Sequence, residues 1–276
     1  MNMDLSNLCP WHDVILMGKR CKIMAGKTAA ILVIGDEILS GRTKDKNIGW
    51  IAEQLNEIGI DLIEARVIAD VEEVIIRHVR ELSDAYSYVF TSGGIGPTHD
   101  DITTQSVAKA FGKKVIRHEE AVRRLLEHYR GTDIEFNGAR QKMADIPEDA
   151  ILIDNPVSAA PGYKLQNVHV MAGVPSILQA MFEGIKDSLE GGQPRTRITV
   201  QCAIGEGTIA TIMEAVATEF EGLSVGSYPW FKPGQFGTAV VVTSKDKQAA
   251  IAGADKVAKL VREAGYDAQI VTEGQD

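Results

Sequence analysis

Apolar residues in this chain form one unbroken run, after which short apolar segments alternate with segments whose apolar positions are three and four residues apart. The run from Ala29 to Ile34 stops at Gly35, which is typical of a strand buried on both faces of a parallel sheet. Apolar positions three and four residues apart then predict helices between further short strands. The predicted strands of this part cover 29–34, 61–68, 88–91, 150–153 and 168–171, and the predicted helices cover 48–58, 71–82, 102–111, 119–129 and 176–189.

This alternation predicts the fold class. Short connections between alternating strands and helices favour a mostly parallel sheet with helices on both faces, which is a three-layer α/β domain. The loops that follow the strands of such a sheet meet at one edge, where ligands bind. We therefore expect the segments 35–43 and 92–101 to lie on the same rim.

A break rich in glycine and proline, Gly191 to Pro194, follows the last of these helices and marks a domain boundary. The pattern beyond it reads strand, helix, strand, strand, helix, strand. This order matches the ferredoxin-like split motif, in which helices cover one face of an antiparallel sheet. We expect a flexible N-terminal extension over 1–26, an α/β domain over 27–190 and a small α+β domain of ferredoxin-like βαββαβ order over 195–276.

Composition and charge narrow the choice of partners. The formal net charge of −9 gives no general attraction to nucleic acid or anionic lipid. No apolar run approaches the roughly 20 residues of a membrane-spanning helix. We expect no signal peptide in the first 25 residues, because the apolar piece there is only four residues long and the basic residues follow it. Cys9, Cys21 and Cys202 are too few for a disulfide framework. We expect a cytoplasmic protein that binds a small molecule, not nucleic acid or membrane.

A glycine-rich segment, Thr91 to Asp101, joins the end of an apolar strand to the start of a helix. Glycine permits positive φ and close approach of the backbone, so N–H groups can point toward a bound anion. Hydroxyl groups and the following helix would add to the attraction, which predicts a phosphate or diphosphate site. A tight turn without any ligand explains the pattern equally well. The candidate ligand-binding residues here are Ser92, Gly93, Gly94, Gly96, Pro97 and Thr98.

Two adjacent carboxylates, Asp100 and Asp101, end this segment. They would repel a phosphate unless a cation lay between them, and a divalent metal is the simplest mediator. Alternatively, one of them caps the helix that follows. We interpret His99 as an exposed loop histidine and assign it no catalytic role.

A second polar loop, Gly35 to Thr43, follows the first strand and carries Asp36. Asn47 lies just past it at a helix start, and Asp70 follows the second strand. Capping of a helix is the simplest interpretation of both residues. The carboxylates of Asp36, Asp70 and Asp101 nevertheless follow three different parallel strands, so they can converge on one cleft.

These loops resemble the molybdopterin-binding fold of molybdenum cofactor biosynthesis proteins, and more closely the amino-terminal domain of the CinA family. The likeness covers about 27–189, and the part from Arg195 onward resembles the smaller domain found in CinA-like proteins. The family's further motifs follow in the expected order as Asn137 with Gln141, Ile146-Pro147, Asn155-Pro156, Ala160-Pro161-Gly162 and Gly173-Val174-Pro175-Ser176.

The resemblance implies a ligand at the rim that is a phosphorylated pterin (molybdopterin) or an ADP-containing nucleotide such as ADP-ribose or FAD. Gly35 and Asn47 would then bind it together with the glycine-rich segment. In the pterin-binding branch, acids that match Asp70 and Asp101 serve adenylyl-transfer or insertion chemistry, so these two are the catalytic candidates. The family likeness also implies a homo-oligomer.

In the CinA branch, the resemblance implies metal-dependent cleavage of a nucleotide diphosphate. Asp36, Asp100 and Asp101 would hold Mg²⁺, Mn²⁺ or Co²⁺ against the phosphates, while the glycine-rich segment would stabilise the developing charge. Two residues depart from the family pattern, because Ala172 replaces a usual proline and Ile177 replaces a frequent acid. A metal-dependent nucleotide pyrophosphatase is therefore the expected function, with a non-catalytic pterin-binding or regulatory module as the alternative.

Overall fold

The computed structural model describes residues 26–271. The chain divides into two compact units that follow one another in sequence at Gly192 and Gln193. All but the last residue of the extension predicted over 1–26 lies outside the described residues. The elements of the first unit are β1 (Thr28–Ile34), α1 (Asp36–Leu39), α2 (Asn47–Glu57), β2 (Asp61–Ile68), α3 (Glu72–Ala85), β3 (Tyr88–Ser92), α4 (Thr103–Ala110), β4 (Val115–Arg117), α5 (Glu119–Tyr129), α6 (Gly138–Lys142), β5 (Asp145–Pro147), β6 (Ile151–Ile153), β7 (Gly162–Leu165), β8 (Val168–Met171) and α7 (Pro175–Lys186).

The main sheet of this unit has the strand order β2-β1-β3-β8-β7-β6. β1 pairs in parallel with β2 and β3, and β3 pairs in parallel with β8. β7 and β6 extend the sheet in antiparallel orientation. The mostly parallel sheet is confirmed, although its antiparallel edge was not part of the prediction.

Helices cover both faces of this sheet, because β1 is buried along its whole length. Ala30, Leu32 and Ile34 pack in one cluster with buried side chains of α3, α4 and α5. The alternate residues of β1 pack in a second cluster with buried side chains of α2 and α7. Successive side chains of a strand point to opposite faces, so the two clusters lie on opposite sides of the sheet. The predicted three-layer architecture is confirmed.

The sequence pattern missed the shortest elements. β4 and β5 form a separate two-stranded antiparallel sheet, and α6 comes directly before β5. β7 and β8 form a hairpin through Gln166, whose φ of 54° lies in the left-handed region. Elements of three to five residues are too short to show a hydrophobic period, so periodicity could not reveal them.

The second unit has the predicted βαββαβ order. Its elements are β9 (Thr196–Cys202), α8 (Glu206–Glu219), β10 (Ser224–Lys232), β11 (Gln235–Ser244), α9 (Lys247–Glu263) and β12 (Ala268–Val271). The four strands form an antiparallel sheet of order β10-β11-β9-β12. Val200 and Val240 pack with Ile209 of α8 and Val257 of α9 in a single cluster, so both helices cover one face. This is the ferredoxin-like arrangement.

No helix within residues 26–271 is long and apolar enough to cross a bilayer.

Candidate functional site

Two loops that the sequence placed on one rim lie together at the carboxyl ends of the parallel strands. The Gly35 N–H after β1 donates to the Ile68 carbonyl at the end of β2 over 3.1 Å. The Asn47 side-chain amide donates to Ser92 Oγ and to the Gly173 carbonyl, each over 2.8 Å. One hydrogen bond thus joins the ends of β1 and β2, and Asn47 joins the end of β3 to the segment after β8.

Asn47 does not cap a helix, which corrects the simplest interpretation of this residue. It is the first residue of α2 and is buried, whereas Asp45 Oδ1 accepts from the N–H groups of Asn47 and Ile48. Asn47 Oδ1 is itself buried and has no hydrogen-bond partner in the described part of the chain. The Asn47 side chain therefore organises the rim and keeps one acceptor unused.

Gly93 and Gly94 are required by the fold before any ligand is considered. Gly93 has a φ of +109°, and a Cβ there would lie 2.2 Å from the Ile34 carbonyl oxygen. Gly94 has a φ of +70°, and a Cβ there would lie 2.1 Å from Thr103 Oγ1. Only glycine allows the backbone to turn so close to β1 and α4.

This turn leaves backbone donors unused. The Thr103 N–H donates to the Gly94 carbonyl and Thr103 Oγ1 donates to the Gly93 carbonyl, both over 3.0 Å, so the carbonyl groups turn toward α4. Within residues 26–271, the N–H groups of Gly94, Ile95 and Gly96 make no hydrogen bond. Consecutive free N–H groups next to a helix start can bind an anion, as the glycine pattern predicts.

The outer part of the segment is held by a carboxylate. Asp101 Oδ2 accepts from the Thr98 N–H over 2.8 Å and from Thr98 Oγ1 over 2.6 Å. Asp101 thus closes its own loop and does not cap α4, whose first turn follows Ile102 without a side-chain cap. A Cβ at Gly96 would lie 2.6 Å from Asp101 Oδ2, whereas Pro97 is exposed.

Asp70 and Asp36 meet at the other side of the rim. Asp70 Oδ2 accepts from the Asp36 backbone N–H over 3.0 Å, and α3 begins after Val71 without a side-chain cap. The capping interpretation of Asp70 is therefore wrong. Partial burial raises the pKa of Asp70, and the negative charges of Asp36, Glu37 and Asp100 raise it further. Acids from two other loops thus act on Asp70.

Asp100 extends this acidic rim into solvent. The neighbouring Thr98 hydroxyl and the backbone N–H of Asp100 lower the pKa of its carboxyl, which keeps it ionised. His99 is fully exposed, and its Nδ1 lies 3.8 Å from Asp100 Oδ1. The expectation of an exposed histidine is confirmed.

No three carboxylate, imidazole or thiolate groups within residues 26–271 lie close enough together to hold a metal ion. Asp70 and Asp101 each have an oxygen that accepts from a backbone N–H group, while Asp36 and Asp100 are exposed. In proteins, Mg²⁺ often has one or two carboxylate ligands and takes its other ligands from substrate phosphates and water. The residues present fit a metal of that kind.

Two hydrogen bonds at the rim were not predicted from the sequence. Lys142, the last residue of α6, donates through its ammonium group to the Thr98 carbonyl. The Gly173 carbonyl, next to the unusual Ala172, accepts from Asn47. Ala172 and Ile177 are partly buried and pack against the α2 and α7 side of the core, so the replaced residues contribute apolar packing there.

Two family models match the chain, one in each unit. A family model described as "Probable molybdopterin binding domain" matches residues 30–191, which is more than half of the chain. The chain belongs to this molybdopterin-binding domain family. A second model, described as the middle domain of FAD synthase, matches residues 194–269 in the second unit. The family resemblance seen in the two loops is thus confirmed.

Individual relatives carry two kinds of name, FAD synthase and CinA-like protein. A "Probable FAD synthase" of Caenorhabditis elegans is 32% identical over 246 residues, in a match that covers 80% of this chain and 47% of that protein. A "CinA-like protein" of Syntrophus aciditrophicus is 34% identical over 215 residues, covering 73% of this chain and 50% of that protein. The chain spans about half the length of these relatives.

A solved structure supports the fold of the first unit. The protein CinA of Thermoplasma acidophilum, whose function is described as unknown, is 31% identical with a TM-score of 0.55. The match covers 59% of this chain and 97% of that one. The first unit is therefore CinA-like in sequence and in structure.

Proposed function

We propose that the glycine-rich loop binds the diphosphate of an ADP-containing nucleotide such as ADP-ribose or FAD, and that the protein hydrolyses it with a divalent metal ion. The observation that carries this proposal is the set of three consecutive N–H groups, Gly94 to Gly96, without partners in the described part of the chain. The FAD synthase and CinA-like names of the relatives support a nucleotide ligand.

The residues of the rim have separable tasks in this proposal. The free N–H groups of the loop stabilise negative charge that develops on a phosphate oxygen. Ser92 Oγ accepts from Asn47, so its own proton is directed elsewhere and can be donated to the ligand. One or two of the carboxylates of Asp36, Asp100 and Asp101 would hold Mg²⁺, Mn²⁺ or Co²⁺ together with water and the phosphates, and the ion would supply positive charge to the diphosphate when bound.

Hydrolysis breaks the bond between one phosphorus and the bridging oxygen. A water oxygen adds to that phosphorus, the bridging oxygen leaves on the other phosphate, and the water protons are released to the solvent. ADP-ribose and water thus yield AMP and ribose 5-phosphate. In this proposal Asp70 takes up one of the water protons before it reaches the solvent, because burial and neighbouring acids raise its pKa and make its carboxylate a stronger base.

The test is release of AMP from ADP-ribose and from FAD by the full chain, with and without Mg²⁺, Mn²⁺ or Co²⁺. We expect metal-dependent release that falls at least a hundredfold in Asp101→Ala, on the scale of a lost charge-stabilising group. Asp84→Ala is the matched control, since Asp84 is exposed on α3 away from the rim. Metal-dependent release that survives in Asp101→Ala would contradict the proposed role of this site.

A non-catalytic pterin-binding module is the second candidate, favoured by the family match over residues 30–191. Binding of molybdopterin without turnover of any diphosphate would support it. A bulky residue at Gly94 is a poor probe, because it would strike Thr103 and disturb the fold. Thr98→Val is better suited, since it removes one hydroxyl from the exposed part of the loop.

We also propose, from the family likeness, that the protein is a homo-oligomer. Light scattering after size-exclusion chromatography tests this, and a mass near the 29.9 kDa of one chain would contradict it.

A further inference from the structure

The carboxylates of the rim repel any phosphate ligand. Asp70 Oδ2 accepts from the Asp36 N–H on one side of the rim, and Asp101 lies beside the free N–H group of Gly96 on the other. Like charges in contact repel even in bulk water, and more strongly near a protein surface. A doubly charged diphosphate therefore needs positive charge close to the loop.

Lys142 is a protein cation in the right place. Its ammonium group donates to the Thr98 carbonyl, and its side chain lines a small cavity together with Gly96 and Asp101. Lys142 thus lies next to Asp101 and next to the free N–H groups of Ile95 and Gly96, which line the same cavity.

Among residues 26–271, Lys142 is not neutralised by a carboxylate, in contrast to three other lysines of the same unit. Lys109, Lys113 and Lys186 each form an ion pair with a carboxylate, at 2.6, 2.6 and 2.7 Å respectively. Within the described part of the chain, Lys142 forms no ion pair and has only the Thr98 carbonyl as a hydrogen-bond partner. An ammonium group has three N–H donors, so two remain for a ligand.

The backbone that carries Lys142 is fixed. Asn137 Oδ1 accepts from the Arg140 N–H over 3.1 Å at the start of α6, and Gln141 Oε1 accepts from Arg117 over 3.0 Å. Ala144 and Ile146 just beyond are buried in the core. A charge held by a fixed helix is available without reorganisation, which strengthens its effect on a ligand.

We propose that Lys142 binds the diphosphate directly and supplies the positive charge that the outer part of the glycine loop requires before any metal arrives. This inference rests on the proposed function, because it concerns the same ligand site. Lys142 donates one N–H to the Thr98 carbonyl and the others to phosphate oxygens. The loop N–H groups and the lysine then contact the diphosphate together.

The test is a calorimetric titration of ADP-ribose into the full chain in EDTA, with adenosine as the ligand that lacks phosphate. We compare the natural protein with Lys142→Met, which has a similar length and no charge, and with Lys142→Arg, which restores the charge. Lys113→Met is the matched control, because it removes a lysine charge at a distant ion pair. Thermal unfolding of each variant monitors the fold.

We expect Lys142→Met to weaken metal-free ADP-ribose binding about tenfold to a hundredfold, the usual effect of losing a charged hydrogen bond. Lys142→Arg and Lys113→Met should stay within about threefold of the natural protein, and adenosine binding should not change. Equal affinity of Lys142→Met and the natural protein would overturn the inference and leave the proposed function intact. Failure of the natural protein to bind ADP-ribose, with or without Mg²⁺, would overturn both.

Discussion

The inner and outer parts of the glycine loop are built in different ways. The inner part, Ser92 to Gly94, receives hydrogen bonds from Asn47 and Thr103 and leaves no room for a Cβ at either glycine. The outer part, Pro97 to Asp100, is exposed and is held by Asp101 and Lys142. The inner part fixes the backbone and the outer part presents charge, so changes in the two parts should have separable effects.

Gly93→Ala should give the largest loss of stability. Its Cβ would lie 2.2 Å from the Ile34 carbonyl, and a φ of +109° strains any other residue. Strain and overpacking each cost about 1–3 kcal/mol, so we expect a loss of about 3 kcal/mol or more in the free energy of unfolding. Urea denaturation followed by circular dichroism measures it.

Gly49→Ala is the matched control for this substitution. Gly49 lies within α2, and a Cβ there meets nothing within 4 Å. Alanine should stabilise the helix by about 0.5–1 kcal/mol. A small effect of Gly93→Ala, similar in size to that of Gly49→Ala, would show that the inner part of the loop is not tightly constrained.

Acidic pH should lower the free energy of unfolding through His169 on β8, the strand that pairs with β3 next to the inner part of the loop. Burial between Tyr88 and Phe90 lowers the pKa of His169 on β8 to about 4, with a further contribution from the charge of Lys164. The unfolded chain binds this proton near pH 6.5, so stability is complete above that value and is lost as the pH falls toward 4. The loss from this group should reach about 3 kcal/mol.

His169→Phe isolates this contribution, because phenylalanine keeps the ring contacts and cannot be protonated. Urea denaturation of both proteins between pH 4 and 7 should show a steeper acid loss for the natural protein. Parallel pH profiles would contradict the assignment of this loss to His169.

Asn47→Ala should have an intermediate effect. It removes one buried and one partly buried hydrogen bond and leaves the Gly173 carbonyl without its side-chain donor. We expect a loss of about 2 kcal/mol in the free energy of unfolding, since buried groups without partners cost about 1–3 kcal/mol. Asn56→Ala, in the same helix but only partly buried, should cost less than about 1 kcal/mol, and equal costs would refute the role given to Asn47.

Thr98→Val should have the smallest effect on stability. It removes the hydroxyl that donates to Asp101 over 2.6 Å at an exposed site and retains the backbone bond. We expect a loss below about 1 kcal/mol, with weaker binding of ADP-ribose. A loss as large as that of Asn47→Ala would remove the distinction between the two parts of the loop.

The sequence alone predicted the parts of the fold whose helices and strands are long enough to show a hydrophobic pattern. The run through β1 and the period of α2 and α3 predicted a three-layer domain, because burial on both faces leaves a distinct apolar pattern. β7 and α6 were missed because four or five residues show no period. The antiparallel edge of the sheet depends on these short elements.

The sequence predicted which loops form the candidate site but not which side chains contact one another there. Glycine spacing and acids at strand ends indicated the rim correctly, since strand topology brings those loops together. Capping predictions for Asn47, Asp70 and the Asp100–Asp101 pair failed. Asn47 and Asp70 have partners distant in sequence, Asp101 holds Thr98 of its own loop, and Asp100 is exposed. Lys142 was missed because it lies 44 residues from its partner Thr98, on a helix that the pattern did not reveal.

The most direct test of the account is where a diphosphate lies on the protein. An amide proton–nitrogen NMR titration of the full chain with ADP-ribose should shift the resonances of Gly94, Ile95 and Gly96 more than those of any other residues, because their N–H groups would gain phosphate partners. Shifts confined to other parts of the chain, with these three unchanged, would contradict the central claim.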